Sequence, residues 1–269
     1  MKKNQVIDQV ARAAVLAVLP ARFGSTRFPG KPLANQTGKY LIEHVVERVR
    51  QARTVGQMIV ATDDQRIFDA VQSFGGQVMM TRSDHPNGTC RIAEVIENLE
   101  KTQGTRPQLV LNVQGDEPEI DPSVIDLLVE TMQADTQTVM GTVASSFAAG
   151  EDPQNPNIVK VVTTTAGRTG QRAMYFSRAL IPFYRDAVSE KKYLKHIGLY
   201  VYRRDFLLQY VHLPPTPLEQ AEQLEQLRAL EHGYPIAVVL AQVNHHGIDT
   251  PSQYEEFVKR WKSKNSLGS

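Results

Sequence analysis

Three cations crowd a short irregular stretch near the start of the chain. In "LPARFGSTRFPGKPL", residues 19–33, Arg22, Arg27 and Lys31 stand among three prolines and two glycines. The stretch follows the apolar run "AAVLAVL" and precedes a helix-like segment, so it falls where a buried strand ends. In parallel α/β sheets, ligands bind beyond the carboxyl ends of strands. Loop N–H groups with Arg and Lys beside them form a cradle for anions, and Arg grips phosphate oxygens two at a time. The chemistry is that of a polyphosphate site, although the same spacing would serve a solvated basic loop. No G-x-G-x-x-G occurs, which disfavours a dinucleotide fold.

Two acidic turns complement the cations. "NVQGDEP" (112–118) places Asp116 and Glu117 after an apolar strand, and "HHGIDTP" (245–251) places Asp249 after another. Each aspartate alone would suit a turn or a helix cap. Two at strand ends beside a phosphate loop suit a shared Mg²⁺, which takes one or two carboxylates plus phosphate oxygens. "HPNGTCRIAEVI" (85–96) opens a helix with a Gly-Thr turn, a place that attracts anions and equally an ordinary cap. Arg178 and His196 interrupt apolar strands; a lone histidine in such a place is usually a satisfied structural one.

The elements that must hold these residues follow an alternating rhythm. Ala13 to Leu19 reads as a strand buried on both faces. Leu41, Ile42, Val45, Val46 and Val49 recur at helical spacing, "MIVAT" (58–62) is a strand, and Ile67, Phe68, Val71 and Phe74 mark a helix stopped by Gly75-Gly76. "VMM" (78–80), a helix through Ile92, Val95, Ile96 and Leu99, and "LVLNV" (109–113) continue the pattern. The alternation predicts a parallel sheet covered by helices. After about residue 138 strand-like segments follow one another, and residues 155–203 read as a mainly antiparallel insertion. A helix is expected over 218–233 with Leu218, Ala221, Leu224 and Leu227 inward and Gly233 at its end. "IAVVLA" (236–241) is a last core strand. The final helix begins near Thr250, a capping residue, with Pro251 in its first turn.

Composition narrows the classes. The 269 residues carry a formal net charge of +1, so nothing suggests nucleic acid, and the 41% hydrophobic content supports a core. The single cysteine, Cys90, excludes an internal disulfide and suits a reducing cytoplasm. No run approaches the length of a membrane span. "MKK" ahead of "AAVLAVLPA" resembles a weak secretory signal, but Asp8 and Arg12 interrupt it and cleavage would remove the first strand.

Taken in order, "PARFGSTRFPGKPL", "ATDD", "NGTCRIAEV", "NVQGDEP", "NIVKVV", "YFSRALIPF", "KHIGLYVYRRDFL", "PPTPLEQAEQLEQLRALEHGYPI" and "GIDTP" resemble the motifs of the 3-deoxy-manno-octulosonate (Kdo) cytidylyltransferases. The resemblance covers roughly residues 14–260. "QLEQLRALEHG" and "SRALIPF" separate this family from the CMP-sialic acid synthetases, which share the fold.

The resemblance implies an α/β, Rossmann-like nucleotidyltransferase core with a mainly parallel sheet. The core would span 13–154 and 204–269 behind an N-terminal extension over 1–12. The smaller antiparallel insertion, 155–203, would contribute to the sugar pocket and the interface of a homodimer. The implied reaction joins CTP and Kdo into CMP-Kdo and pyrophosphate with Mg²⁺ in the cytoplasm, for lipopolysaccharide assembly, with no nucleic acid or membrane partner. A related acid, 8-amino-Kdo or sialic acid, is the alternative substrate.

By the same resemblance Arg22, Ser25, Thr26, Arg27 and Lys31 form the nucleotide loop, joined by Gly88, Thr89 and Arg91. Asp116 and Asp249 hold the metal and, with Arg22 and Lys31, carry catalysis. Gln114, Arg178, His196, Tyr200, Glu225 and Gln226 bind the sugar. Two departures from the family pattern stand out. Asn87 and Cys90 occupy "NGTCR" where the family shows a serine and an acidic residue. Phe23-Gly24 replaces a bulkier pair.

Overall fold

The computed structural model describes residues 14–165, 170–187, 189–243 and 247–266. The extension expected over 1–12 lies outside them. The chain forms two compact units. One contains residues 1–107, 112–122 and 245–269; the other contains 108–111 and 123–244.

The first unit holds three parallel strands, β1 (Val15–Ala21), β2 (Gln57–Thr62) and β3 (Val78–Met80), with β2 pairing to both others. Val15 to Leu19 are at most 1% exposed, as a strand covered on both faces requires. The helices are α1 (Leu41–Arg50), α2 (Gln65–Ser73), α3 (Gly88–Gln103) and α8 (Pro251–Ser266). On α1, Leu41, Ile42, Val45, Val46 and Val49 are fully buried. Each such side chain contributes about 1.5–3 kcal/mol relative to exposure. Asp64 caps α2 by accepting the Arg66 N–H, and Gly75, at φ 72°, ends it as the glycine pair suggested. Helix α8 is anchored by Tyr254, Phe257 and Val258, which pack with Leu41 and Ile248.

The second unit holds β4 (Leu109–Asn112), β5 (Met140–Ser146), β6 (Lys160–Thr164), β7 (Gln171–Ser177), β8 (Leu194–Arg203) and β9 (Ile236–Leu240) in the order β4-β8-β5-β9-β7-β6. Strand β5 runs parallel to β9 and antiparallel to β8, while β7 is antiparallel to β6 and β9. Strand arrangement is therefore mixed, with parallel pairing in the first unit and largely antiparallel pairing in the second. The helices here are α4 (Pro122–Ala134), α5 (Arg204–Tyr210), α6 (Pro217–Glu222) and α7 (Gln226–Glu231). Among the described residues no helix is long and apolar enough to cross a membrane.

The single helix expected over 218–233 is two helices. Gln223 adopts a left-handed backbone, φ 54°, between α6 and α7. Leu218 and Ala221, expected inward, are exposed, whereas Leu224 and Leu227 are buried. The pair is locked by Arg228, whose guanidinium donates to both Glu219 carboxylate oxygens at 2.7 and 2.5 Å. That buried fork turns Glu219 inward and Leu218 outward, overriding the leucine spacing.

Candidate functional site

The cationic loop of the first unit is tied to itself. The Phe23 carbonyl accepts the N–H groups of Ser25 and Gly30, each at 2.9 Å, and Ser25 Oγ accepts the Phe28 N–H. Gly30 has φ 70°, and a Cβ there would lie 2.9 Å from the Phe23 ring, so only glycine closes the loop this way. The Arg66 guanidinium lies 3.4 Å over the same ring. Phe23 thus serves as a plate between Gly30 and Arg66.

Arg22 is half-buried with no hydrogen-bond or ion-pair partner among the described residues. Thr26 and Arg27 are exposed. Lys31 opens a short 3₁₀ turn over Lys31–Leu33, and its side chain is 12% exposed.

Both acidic turns converge on that lysine. Lys31 Nζ lies 2.6 Å from Asp116 Oδ2 and 3.6 Å from Asp249 Oδ1, and Arg27 reaches Asp249 at 3.0 Å. Backbone contacts hold the turns together, since the Ile248 N–H donates to the Asp116 carbonyl at 2.9 Å. Two glycines permit the approach: a Cβ on Gly115 would lie 2.9 Å from the Pro20 carbonyl, and one on Gly247 would lie 2.9 Å from Glu117 Oε1. Backbone cannot yield as a flexible side chain does. Gly115→Ala is accordingly expected to cost about 1–3 kcal/mol of stability, the usual penalty of overpacking. Denaturant unfolding measures it, and an unchanged midpoint would mean that the turn has room to move.

The donor set suits a hard cation. Two carboxylates already share one ammonium, so they lie where a positive ion is stabilised by both. Among the described residues no group of three or more His, Cys, Asp or Glu could hold a metal. A cation here would complete its shell with water and phosphate oxygens, as Mg²⁺ does and structural Zn²⁺ does not.

The Gly-Thr turn sits at the start of α3. Asn87 Oδ1 caps it by accepting the Cys90 N–H at 2.9 Å. Cys90 therefore occupies the third helical position, where an acidic side chain would reach back to the cap residue's N–H. Asparagine keeps one half of that reciprocal cap, and the thiol cannot supply the carboxylate half. Gly88 packs against Pro20, with its notional Cβ 3.3 Å from the ring, and Thr89 is buried. Arg91 is fully buried; its guanidinium donates to Asp63 Oδ2 at 2.6 Å and Thr81 Oγ1 at 2.5 Å. This arginine ties α3 to the end of β2 rather than presenting its charge to solvent.

Gln114 belongs to the first unit and donates to Asn112 Oδ1 at 3.1 Å. The other five candidate sugar residues lie in the second unit. His196 and Tyr200 are neighbours on β8, with ring centroids 5.4 Å apart, and Phe176 meets His196 edge-on at 5.0 Å. His196 Nε2 is 2.9 Å from Thr142 Oγ1. Burial lowers the His196 pKa to about 3, so its imidazole is neutral. Tyr200 donates to Gln226 Oε1 at 3.3 Å, and burial raises the phenol well above its usual range. Gln226 is 3% exposed, and its Nε2 has no hydrogen-bond acceptor among the described residues. Glu225 precedes it, and the Glu225 carbonyl accepts from the Tyr210 hydroxyl at 2.6 Å.

Arg178 bonds to a different set of groups. Its guanidinium donates to the carbonyls of Glu222, Pro156 and Gln223 at 2.8, 3.1 and 3.5 Å. Glu222 in turn accepts from the Arg178 N–H at 2.9 Å and from Ser177 Oγ at 2.6 Å. Three carbonyls position the guanidinium, and its charge also acts on the neighbouring Glu222 carboxylate: against the upward effect of burial, it helps to hold the Glu222 pKa below its usual value. Sequence reasoning missed Glu222, Thr142 and Arg66. None of the three carried a local sequence signal.

The comparisons with known proteins agree on one family. A cytidylyltransferase family model matches residues 16–238. The 3-deoxy-manno-octulosonate cytidylyltransferase of Solibacter usitatus is 47% identical, covering 93% of this chain and 95% of its own. That of Geobacter sulfurreducens is 45% identical, covering 92% and 99%. Among solved structures, a CMP:2-keto-3-deoxy-manno-octonic acid synthetase complexed with CTP superposes with TM-score 0.85 at 42% identity, covering 93% of this chain and 99% of that one. A cytidylyltransferase from Leptospira borgpetersenii, 16% identical with TM-score 0.59, shares the fold.

Proposed function

This chain belongs to the 3-deoxy-manno-octulosonate cytidylyltransferase family, and from that premise we propose how its residues transfer CMP from CTP to Kdo, releasing pyrophosphate. The product is the activated sugar used in lipopolysaccharide assembly. The convergence of Asp116 and Asp249 on Lys31 is the observation that carries the mechanism. It gathers both signs of charge at one strand end, as a nucleotide triphosphate with its cation demands.

In the first unit, Arg22 and Lys31 bind and neutralise the triphosphate. Ser25, Thr26 and Arg27 line the loop, and Gly88 and Thr89 offer the start of α3 to the nucleotide. Arg91 serves by holding α3 in place through Asp63 and Thr81. Asp116 and Asp249 would hold Mg²⁺, which supplies charge neutralisation at the reacting phosphate and lowers the pKa of a bound hydroxyl. Gln114 belongs to the same acidic turn.

In the second unit, His196, Tyr200 and Gln226 offer neutral hydrogen-bonding groups to the sugar, with Glu225 beside them. Arg178 receives its carboxylate. The anomeric oxygen of the sugar bonds to the α-phosphorus as the bond to the pyrophosphate oxygen breaks. The hydroxyl proton leaves to water, because His196 is too weak a base at neutral pH. Orientation and charge stabilisation do most of the work in such transfers.

The enzyme is further proposed to be a cytoplasmic homodimer. The segment 155–203 exposes Phe183 at 88% and Met174 at 62%, an apolar surface suited to a second copy. Light scattering at micromolar concentration tests the dimer, and a monomeric mass would refute it.

Pyrophosphate release from CTP, Mg²⁺ and a panel of acid sugars tests the activity. Kdo is expected to turn over fastest; release with sialic acid or 8-amino-Kdo alone would overturn the substrate assignment.

Cys90 is expected to be dispensable but sheltered. Direct transfer from CTP needs no covalent intermediate, so Cys90→Ser should retain most activity. Cys90 lies in the first turn of α3, directly after Gly88 and Thr89. Alkylation of the wild type should inactivate the enzyme, and CTP should slow that loss. Full labelling by iodoacetamide without loss of activity would remove Cys90 from the nucleotide site.

A further inference from the structure

The mechanism leaves a buried lysine unused. Lys160, the first residue of β6, is fully buried in the second unit. Its ammonium has no carboxylate partner among the described residues. Its three N–H donors are met by backbone carbonyls instead: Asn155 at 3.1 Å, Ile158 at 2.7 Å and Arg178 at 2.6 Å. An ammonium buried without a counter-ion is costly and needs a compensating use. Burial, together with the nearby Arg178 charge, lowers its pKa, while Glu222 and Asp152 oppose that shift.

The three acceptors are related through one side chain. Two of them, Asn155 and Ile158, belong to the turn that contains Pro156, and the Pro156 carbonyl accepts from Arg178 Nη1. The third is the carbonyl of Arg178 itself. One ammonium therefore ties the backbone of Arg178 to the turn on which its guanidinium rests. Across the sheet, Lys195 is the β8 partner of Lys160 and is also buried, but Glu151 compensates its charge at 2.7 and 2.9 Å. Of these two neighbouring lysines, only Lys160 gives its donors to backbone carbonyls, the Arg178 carbonyl among them.

We propose that Lys160 is a positioning residue for the acid group of the sugar, fixing Arg178 and the 155–158 turn as one unit so that the guanidinium meets a carboxylate in a set orientation. This rests on the reading of Arg178 as the carboxylate ligand. Lys160 itself touches no substrate, since its three donors are consumed.

The test is a double-mutant cycle on the full-length enzyme. Lys160→Met keeps the length of the stem and removes the donors. It is expected to raise KM for Kdo about tenfold or more and to leave KM for CTP within about twofold, the signature of a site felt by one substrate. In an Arg178→Ala background the same change should add less than about twofold, because the group it positions is gone. A general structural role would instead raise both KM values, or would add its full effect in either background, and either result overturns the proposal. Lys160→Gln, which restores two donors on a shorter stem, should recover part of the lost Kdo affinity; no recovery counts against positioning.

Should neither variant fold, the wild-type protein carries the test. The slowly exchanging Nζ resonance of Lys160 should shift on titration with Kdo, and a saturating titration that leaves it unmoved refutes the proposal. The underlying reading fails differently. Arg178→Ala would then leave KM for Kdo unchanged in an enzyme that still releases pyrophosphate, whatever Lys160 does.

Discussion

Asp116→Asn is expected to lower turnover by at least about 100-fold at saturating Mg²⁺, with folding largely intact. Asparagine keeps the shape of the side chain and its place in the "NVQGDEP" turn, so the Ile248 N–H bond to the Asp116 carbonyl survives. The charge that Lys31 and a bound cation share does not. Asp249→Asn should behave alike, but its side chain is 43% exposed against 26% for Asp116, so water screens it more. Its loss should be the smaller of the two. Steady-state pyrophosphate release across a Mg²⁺ titration separates the effects. A variant whose lost rate returns at high Mg²⁺ has lost metal affinity, and one whose plateau falls has lost transition-state stabilisation. Near-normal turnover at any Mg²⁺ concentration would remove that aspartate from the site.

The same acidic pair shows how far a sequence can be read. Asp116 and Asp249 could be singled out because each acidic turn follows an apolar strand, and ligands in α/β sheets lie beyond the carboxyl ends of strands. Lys31 could be singled out as a cation of the loop, yet its bridging of both aspartates could not be foreseen. Its bond to Asp116 joins residues 85 apart, and no local pattern encodes that. The strand–helix alternation through β4 was readable because buried strands are unbroken apolar runs and glycine or proline marks the helix ends.

Helix α4 was not among the expected elements, although Val124, Ile125, Leu128, Val129 and Met132 carry its spacing. The division into α6 and α7 was beyond periodicity. Leu218, Ala221, Leu224 and Leu227 keep the helical period, but the buried Glu219–Arg228 fork decides which way α6 faces. Arg91 shows a related limit: its bond to Asp63, 28 residues earlier, has no local pattern to announce it.

Lys31→Ala and Arg178→Ala should separate the two substrates. Lys31 is mostly shielded from water, so its charge would act on a bound triphosphate at low effective dielectric. Its removal also leaves Asp116 and Asp249 without their shared ammonium. The carboxylates then repel and accept an added cation more readily, so the Mg²⁺ needed for half-maximal rate should fall. The departing pyrophosphate nevertheless loses a charge that the metal does not replace. The expected result is a fall of about 100-fold or more in kcat/KM for CTP, with KM for Kdo changed much less. Arg178→Ala should do the reverse. Three backbone carbonyls hold that guanidinium, and its loss should deprive the acid group of the sugar of its proposed partner. Titrating each substrate with the other saturating reads both effects and limits any coupling from ordered binding. If Lys31→Ala raised both KM values equally, the lysine would be holding the acidic turns together and not serving the triphosphate. If Arg178→Ala weakened CTP as much as Kdo with the fold unchanged, the carboxylate would have to be bound elsewhere.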